Sequence, residues 1–147
     1  MQESWVCETP RELRAVAQKL AESLEPGSVV ALTGDLGAGK TEFTKGLAAG
    51  LGCPAEVTSP TFGLLHEYLG GRLPLFHLDF YRMEGATEVL DLGWDELSER
   101  DGVIVVEWPD RFEELIPPEA CWVAIMHREG GGREITQARW GSRRAGD

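Results

Sequence analysis

Apolar positions along the chain change period several times, and each change marks an element. Leu13, Val16, Ala17, Leu20 and Leu24 recur at spacings of three and four, which predicts one apolar stripe on a helix. The start of that helix is written locally: Thr9 is suited to cap it, Pro10 to occupy its first turn, and Glu12 to complete a capping box. Pro26-Gly27 ends it. Val29 to Thr33 is instead a short, nearly continuous apolar run, the pattern of a strand buried on both faces. Phe43, Leu47 and Leu51 then return to helical spacing, with a stop around Gly50 and Gly52.

Downstream, Phe62 to Tyr68 and Leu73 to Leu78 read as a hairpin, with Gly70-Gly71 supplying positive φ. Residues 85 to 99 have a weak helical pattern, and Gly102 to Val106 is a second buried-strand candidate. A short helix is expected over Asp110 to Leu115, stopped by Pro117-Pro118. Cys121 to His127 and Arg133 to Trp140 form an expected terminal hairpin across Gly130-Gly131-Gly132, and Trp5 to Glu8 an edge strand. Strands alternating with helices, with hairpins added, predict an α/β three-layer sandwich. Its sheet is expected to be mixed, mainly parallel, in one domain over residues 1–141 with a tail at 142–147.

The chemistry sits between the first buried strand and the second helix. Gly34-Asp35-Leu36-Gly37-Ala38-Gly39-Lys40-Thr41 matches G-x-x-x-x-G-K-[ST], which makes the expected sandwich P-loop NTPase-like. In such a loop, successive backbone N–H groups curl around phosphate oxygens and the following helix presents its positive end. Gly34, Gly37, Ala38, Gly39, Lys40, Thr41 and Glu42 are therefore the candidate nucleotide-binding residues, with Lys40 on the β- and γ-phosphates and the Thr41 hydroxyl on Mg²⁺. Chance matches in a chain of 147 residues are on the order of one in a few hundred.

Such a loop also needs a strand-end carboxylate to hold the metal or orient water. Asp79 closes one apolar run and Glu107 another, so both are candidates. Thr58-Ser59-Pro60-Thr61-Phe62 has the make-up of a switch-like loop or of a capped turn. His66, His77 and Cys53 lack metal-ligand spacing and read as structural. Trp108 reads equally as a core anchor or a lid, and Arg82 as a phosphate neighbour or a surface residue.

Charge narrows the partners. The net charge is −11, and twelve carboxylates against Arg100 and Arg111 place −10 of it between Glu84 and Glu119. So acidic a chain is a poor stand-alone binder of a phosphate backbone. The acidic stretch reads as a solvated face or as a docking surface for a basic partner. Three widely spaced cysteines fit neither a disulfide framework nor a metal site, so no disulfide partner is expected. No run is long and apolar enough to cross a bilayer, and the N-terminus lacks the marks of a secretory signal, so a cytoplasmic location is expected.

Taken in order, Gly34 to Thr41, Ser59-Pro60-Thr61-Phe62, His77-Leu78-Asp79-Phe80-Tyr81-Arg82 and Glu107-Trp108-Pro109 resemble the bacterial TsaE (YjeE) ATPases of tRNA threonylcarbamoyladenosine synthesis, over about residues 9–135. The resemblance implies an ATPase with ATP and Mg²⁺ as cofactors, working with TsaB and TsaD and meeting tRNA only through that complex. It implies that Lys40 contacts phosphates, that Thr41 and Glu107 hold Mg²⁺, with Asp79 beside them and required for hydrolysis, and that Thr61 belongs to a switch-like loop. Glu42 departs from the family, which often has a second threonine there. The family's base contacts fall in segments where Thr9 and Arg133 are candidates.

Other readings compete. A GTPase of the common type reads guanine with an Asn/Thr-Lys-x-Asp element, and the chain has no asparagine. A P-loop small-molecule kinase usually carries an arginine-bearing lid, and no arginine cluster follows the loop. A nonenzymatic nucleotide-dependent regulatory module needs only the binding half of the site.

Overall fold

The structure, a computed structural model, describes residues 3–35, 37–58 and 65–139. The Ser59–Phe62 loop and the 142–147 tail therefore lie outside the described residues.

Eight strands form one sheet in the order β1-β8-β7-β2-β6-β5-β4-β3. These are β1 (Glu3–Cys7), β2 (Val29–Gly34), β3 (Ala55–Thr58), β4 (Leu65–Leu69), β5 (Leu75–Asp79), β6 (Val103–Glu107), β7 (Cys121–His127) and β8 (Arg133–Arg139). The four central strands, β7, β2, β6 and β5, run parallel. The flanking pairs, β1 with β8, β8 with β7, β5 with β4 and β4 with β3, are antiparallel. The apolar runs of β2 and β6 are buried on both faces, as continuous hydrophobic strands in a parallel centre must be.

Helices cover both faces and make the third layer. Against Val30, Leu32, Val103 and Val105 pack α1 (Pro10–Ala21) and α2 (Lys40–Gly50). Against Ala31, Ile104, Val106, Phe76 and Leu78 pack α3 (Ala86–Asp91), α4 (Trp94–Ser98) and two 3₁₀ segments, Phe80–Arg82 and Pro109–Leu115. Thr9 caps the helix as expected: its Oγ1 accepts from the Glu12 N–H at 3.1 Å, while the Glu12 carboxylate meets the Thr9 hydroxyl at 3.2 Å. The helices α1 and α2 meet through glycine. A Cβ on Gly46 would stand 2.6 Å from the Arg14 carbonyl oxygen, and one on Gly50 2.7 Å from the Gln18 carbonyl oxygen.

Some expectations need correction. The weak helical region is two helices, broken where Gly93 adopts φ of 105°. The expected helix over 110–115 is 3₁₀, interrupted at Phe112, whose φ of −141° and ψ of 60° are not helical. In the β4–β5 hairpin only Gly70 has a positive φ; Gly71 is required because a Cβ there would lie 2.3 Å from the Leu51 carbonyl oxygen. Strand β3 was not expected, since Ala55-Glu56-Val57-Thr58 is too short and polar to show a period.

Candidate nucleotide site

Strand parity assembles the site. Asp79 of β5 pairs directly with Glu107 of β6, and His77 stands two residues earlier on the same face as Asp79. That face is the one covered by α2, because Val103 and Val105, which share parity with Glu107, pack in the α1–α2 core. All three side chains thus emerge at the carboxyl ends of parallel strands, beside the loop joining β2 to α2, where open α/β sheets bind ligands.

A cavity of about 930 Å³ opens there, lined by Gly37, Gly39, Lys40, Thr41, Glu42 and Lys45 on one side. His66, Tyr68, His77, Asp79, Tyr81, Arg82, Glu107 and Trp108 line the other. Gly39 caps α2 with φ of 116°, and a Cβ there would lie 2.5 Å from Leu13 Cδ2, so the last glycine before Lys40 answers both a left-handed turn and the close approach of α1. On Gly34 a Cβ would meet the Ile125 carbonyl oxygen at 2.5 Å.

Lys40 is buried, and its ammonium donates to the Gly34 carbonyl at 2.7 Å. Glu107 Oε1 lies 3.9 Å away, and the Trp108 ring centroid 4.0 Å. Burial pulls the lysine below its ordinary pKa, against the opposing pull of Glu107, Asp79 and Asp35. Glu107 is 12% exposed, and its Oε2 lies 2.5 Å from His77 Nε2. Burial alone would raise its pKa, but the hydrogen bond and charge of His77, then Lys40 and His66, outweigh it and hold the carboxyl below its ordinary range. Asp79 goes the other way. Burial raises it and Glu107 adds to the rise, outweighing the Tyr81 N–H that its Oδ1 accepts at 3.0 Å. Two adjacent carboxylates are thereby pushed apart in acidity, the arrangement expected where one binds and the other handles a proton.

Trp108 adopts φ of 57°, uncommon for a bulky residue, and the turn lays its indole over Lys40 and against Tyr81, with ring centroids 5.1 Å apart. It belongs to the site rim as well as the core. Arg133, at the start of β8, donates from Nε to the Ala38 carbonyl at 2.9 Å and from an Nη to that of Gly37 at 3.4 Å. It buttresses the loop from outside. Thr9 is committed to its cap. His77, read from sequence as structural, is drawn into the site by its contact with Glu107; its spacing of two from Asp79 was the available signal.

Among the described residues, no group of three or more His, Cys, Asp or Glu is arranged to hold a metal. Thr41 and Glu107 nonetheless border one cavity with the glycine-rich loop. That donor set fits Mg²⁺, which keeps waters and phosphate oxygens in its shell and takes few protein ligands.

A glycine loop at the end of a parallel strand, opening a helix and facing two strand-end acids, defines the P-loop NTPase-like class. Within that class the relatives are specific. The family model "Threonylcarbamoyl adenosine biosynthesis protein TsaE" matches residues 7–135. The tRNA threonylcarbamoyladenosine biosynthesis protein TsaE of Bacillus subtilis is 47% identical over 139 residues, 95% of this chain and 87% of that protein. That of Treponema pallidum is 47% identical over 115 residues, covering 78% and 84%. The crystal structure of Bacillus subtilis YdiB superposes with a TM-score of 0.79 at 41% identity, covering 97% of this chain and 88% of that one. The chain belongs to the TsaE family, proteins of tRNA threonylcarbamoyladenosine biosynthesis. No helix among the described residues is long and apolar enough to cross a membrane.

Proposed function

We propose that the chain binds Mg-ATP and hydrolyses it, slowly alone and faster with TsaB and TsaD, in support of threonylcarbamoyladenosine formation on tRNA in the cytoplasm. The observation that carries the reading is the convergence on one cavity of the phosphate loop, Lys40, Thr41, Asp79 and Glu107. Binding would draw the Lys40 ammonium from the Gly34 carbonyl to the β- and γ-phosphates, exchanging a neutral acceptor for charged ones. Thr41 and the low-pKa Glu107 would hold Mg²⁺, whose charge offsets that gathering on the phosphates. Asp79, the more basic carboxylate, orients the attacking water.

Slow turnover is expected because no arginine cluster follows the loop in the sequence, although one arginine does border the cavity. Arg133 is engaged by the loop carbonyls, and Arg111 donates to the carbonyls of Phe80 and Tyr81. Among the described residues, Arg82 is the arginine on the cavity lining. An arginine placed on the transferring phosphoryl group is worth roughly 10³–10⁵ in rate where it is used. The acidic character of the chain agrees with tRNA being met only through the complex.

Calorimetry with Mg-ATP, Mg-ADP and Mg-GTP, then phosphate release with and without TsaB–TsaD, tests the proposal. Adenine-nucleotide binding and a rate raised by the partners are expected. Equal rates in both conditions reject partner activation, and a lower Kd for Mg-GTP than for Mg-ATP rejects the adenine assignment.

A further inference from the structure

Glu42 is an anion on the wall of a cavity shaped for anions. It is the third residue of α2, and it lines the cavity beside Gly39, Lys40 and Thr41. The helix end there attracts phosphate through its unpaired N–H groups and macrodipole. A lone carboxylate in that turn competes for the same positive end and repels the incoming charge.

It is not alone. Arg14 Nη1 of α1 donates to Glu42 Oε2. The helix packing brings them together. Gly46 lies one turn beyond Glu42 on the same face of α2, and with no side chain there the α1 backbone comes close at Arg14 itself: an added Cβ would meet the Arg14 carbonyl oxygen at 2.6 Å and the Ala17 Cβ at 2.7 Å. The preceding residue, Leu13, packs against Gly39 of the phosphate loop. One turn of α1 thus seats its leucine against the loop and its guanidinium on the glutamate. With side chains 40% and 34% exposed, the ion pair adds little to stability. Its consequence is for the field that a bound ligand meets.

We infer that Arg14 is a positioning and charge-compensating residue for nucleotide binding: by pairing with Glu42 it keeps the first turn of α2 receptive to a polyphosphate, and it is needed only because residue 42 is acidic. The inference rests on the nucleotide-binding reading above. A unit charge left uncompensated within about one Debye length of several phosphate charges weakens binding roughly tenfold at low salt. The defect shrinks as salt rises, and it grows with the number of phosphates.

The test is a set of calorimetric titrations of the parent, R14Q, R14K, E42T and R14Q/E42T with Mg-ATP and Mg-ADP, with thermal melts confirming that each is folded. R14Q is expected to bind Mg-ATP about tenfold more weakly, and Mg-ADP less severely so. R14K keeps the charge and stays near the parent, while R14Q/E42T recovers parental affinity. A merely structural arginine would not be rescued by removing its partner. An unchanged Kd in R14Q overturns the inference. So does a double variant as weak as R14Q, which would mean that Arg14 grips the phosphate directly. If the parent itself binds neither nucleotide, the nucleotide reading fails, and this inference with it.

Discussion

Replacing His77 by alanine isolates what holds Glu107 in place. Both side chains are nearly buried, 11% and 12% exposed, so solvent screens their contact little. A hydrogen bond to a charged group contributes about 1.5–3 kcal/mol net, and stripping one partner from a fully buried pair costs about 3–5 kcal/mol. Here the carboxylate keeps Lys40 at 3.9 Å and borders an open cavity, so water partly replaces the ring. The expected loss at pH 7 is therefore about 2–3 kcal/mol, a fall in Tm of roughly 5–10 °C for a domain of this size.

The sign of the pH dependence is also determined. In the parent, Glu107 is held below its ordinary pKa, so it adds stability above its unfolded pKa and loses that contribution as pH falls through the folded value. In His77→Ala, burial becomes the larger influence and the folded pKa rises. The ionised carboxylate then costs stability at neutral pH, and the cost fades as pH falls. The gap between parent and variant should be widest near neutrality and narrow toward about pH 4. Urea denaturation across this range reads it directly. His77→Gln, which can place an amide N–H near the old Nε2, should recover part of the loss, whereas a simple cavity effect would be independent of pH. A His77→Ala variant within about 0.5 kcal/mol of the parent at pH 7 would refute the reasoning.

Other consequences can be measured in parallel. Asp79→Asn removes a carboxylate raised by burial, one whose ionisation costs stability as pH rises through its folded pKa; the variant should melt higher than the parent at pH 7, retain Mg-ATP and lose turnover, and a lower Tm would contradict the assignment. Gly46→Ala should lower the urea midpoint despite a helix-propensity gain of about 1 kcal/mol, because overpacking against Arg14 and Ala17 costs about 1–3 kcal/mol; an unchanged or higher midpoint would show that the helices separate freely. Arg133→Ala should speed hydrogen exchange at residues 37–39 without lowering protection in β2, since its bonds to the Gly37 and Ala38 carbonyls are lost; unchanged exchange would remove its buttress role.

The centre of the fold was legible because its signals are local or periodic. Thr9, Pro10 and Glu12 announce α1, and the short continuous apolar runs of β2 and β6 have the pattern of strands buried on both faces. The loop from Gly34 to Thr41 carries its own chemistry, and Asp79 and Glu107 follow from their places at strand ends. What escaped the sequence depends on partners distant along the chain. Gly71 looks like a turn glycine until Leu51 is seen against it. His77 joins the site by bordering its cavity and contacting Glu107, thirty residues away, and Arg14 meets Glu42 where Gly46 and Gly50 let two helices touch. Strand β3 has no periodicity of its own and exists by pairing with β4.

The most direct measurement is isothermal titration of the parent and Lys40→Ala with Mg-ATP under identical conditions. The geometry of Lys40 beside the Gly34 carbonyl, at the mouth of a helix capped by a left-handed glycine, predicts one bound nucleotide per parent chain and no measurable heat for the variant. An inert parent, or a variant that binds as tightly as the parent, would contradict the account.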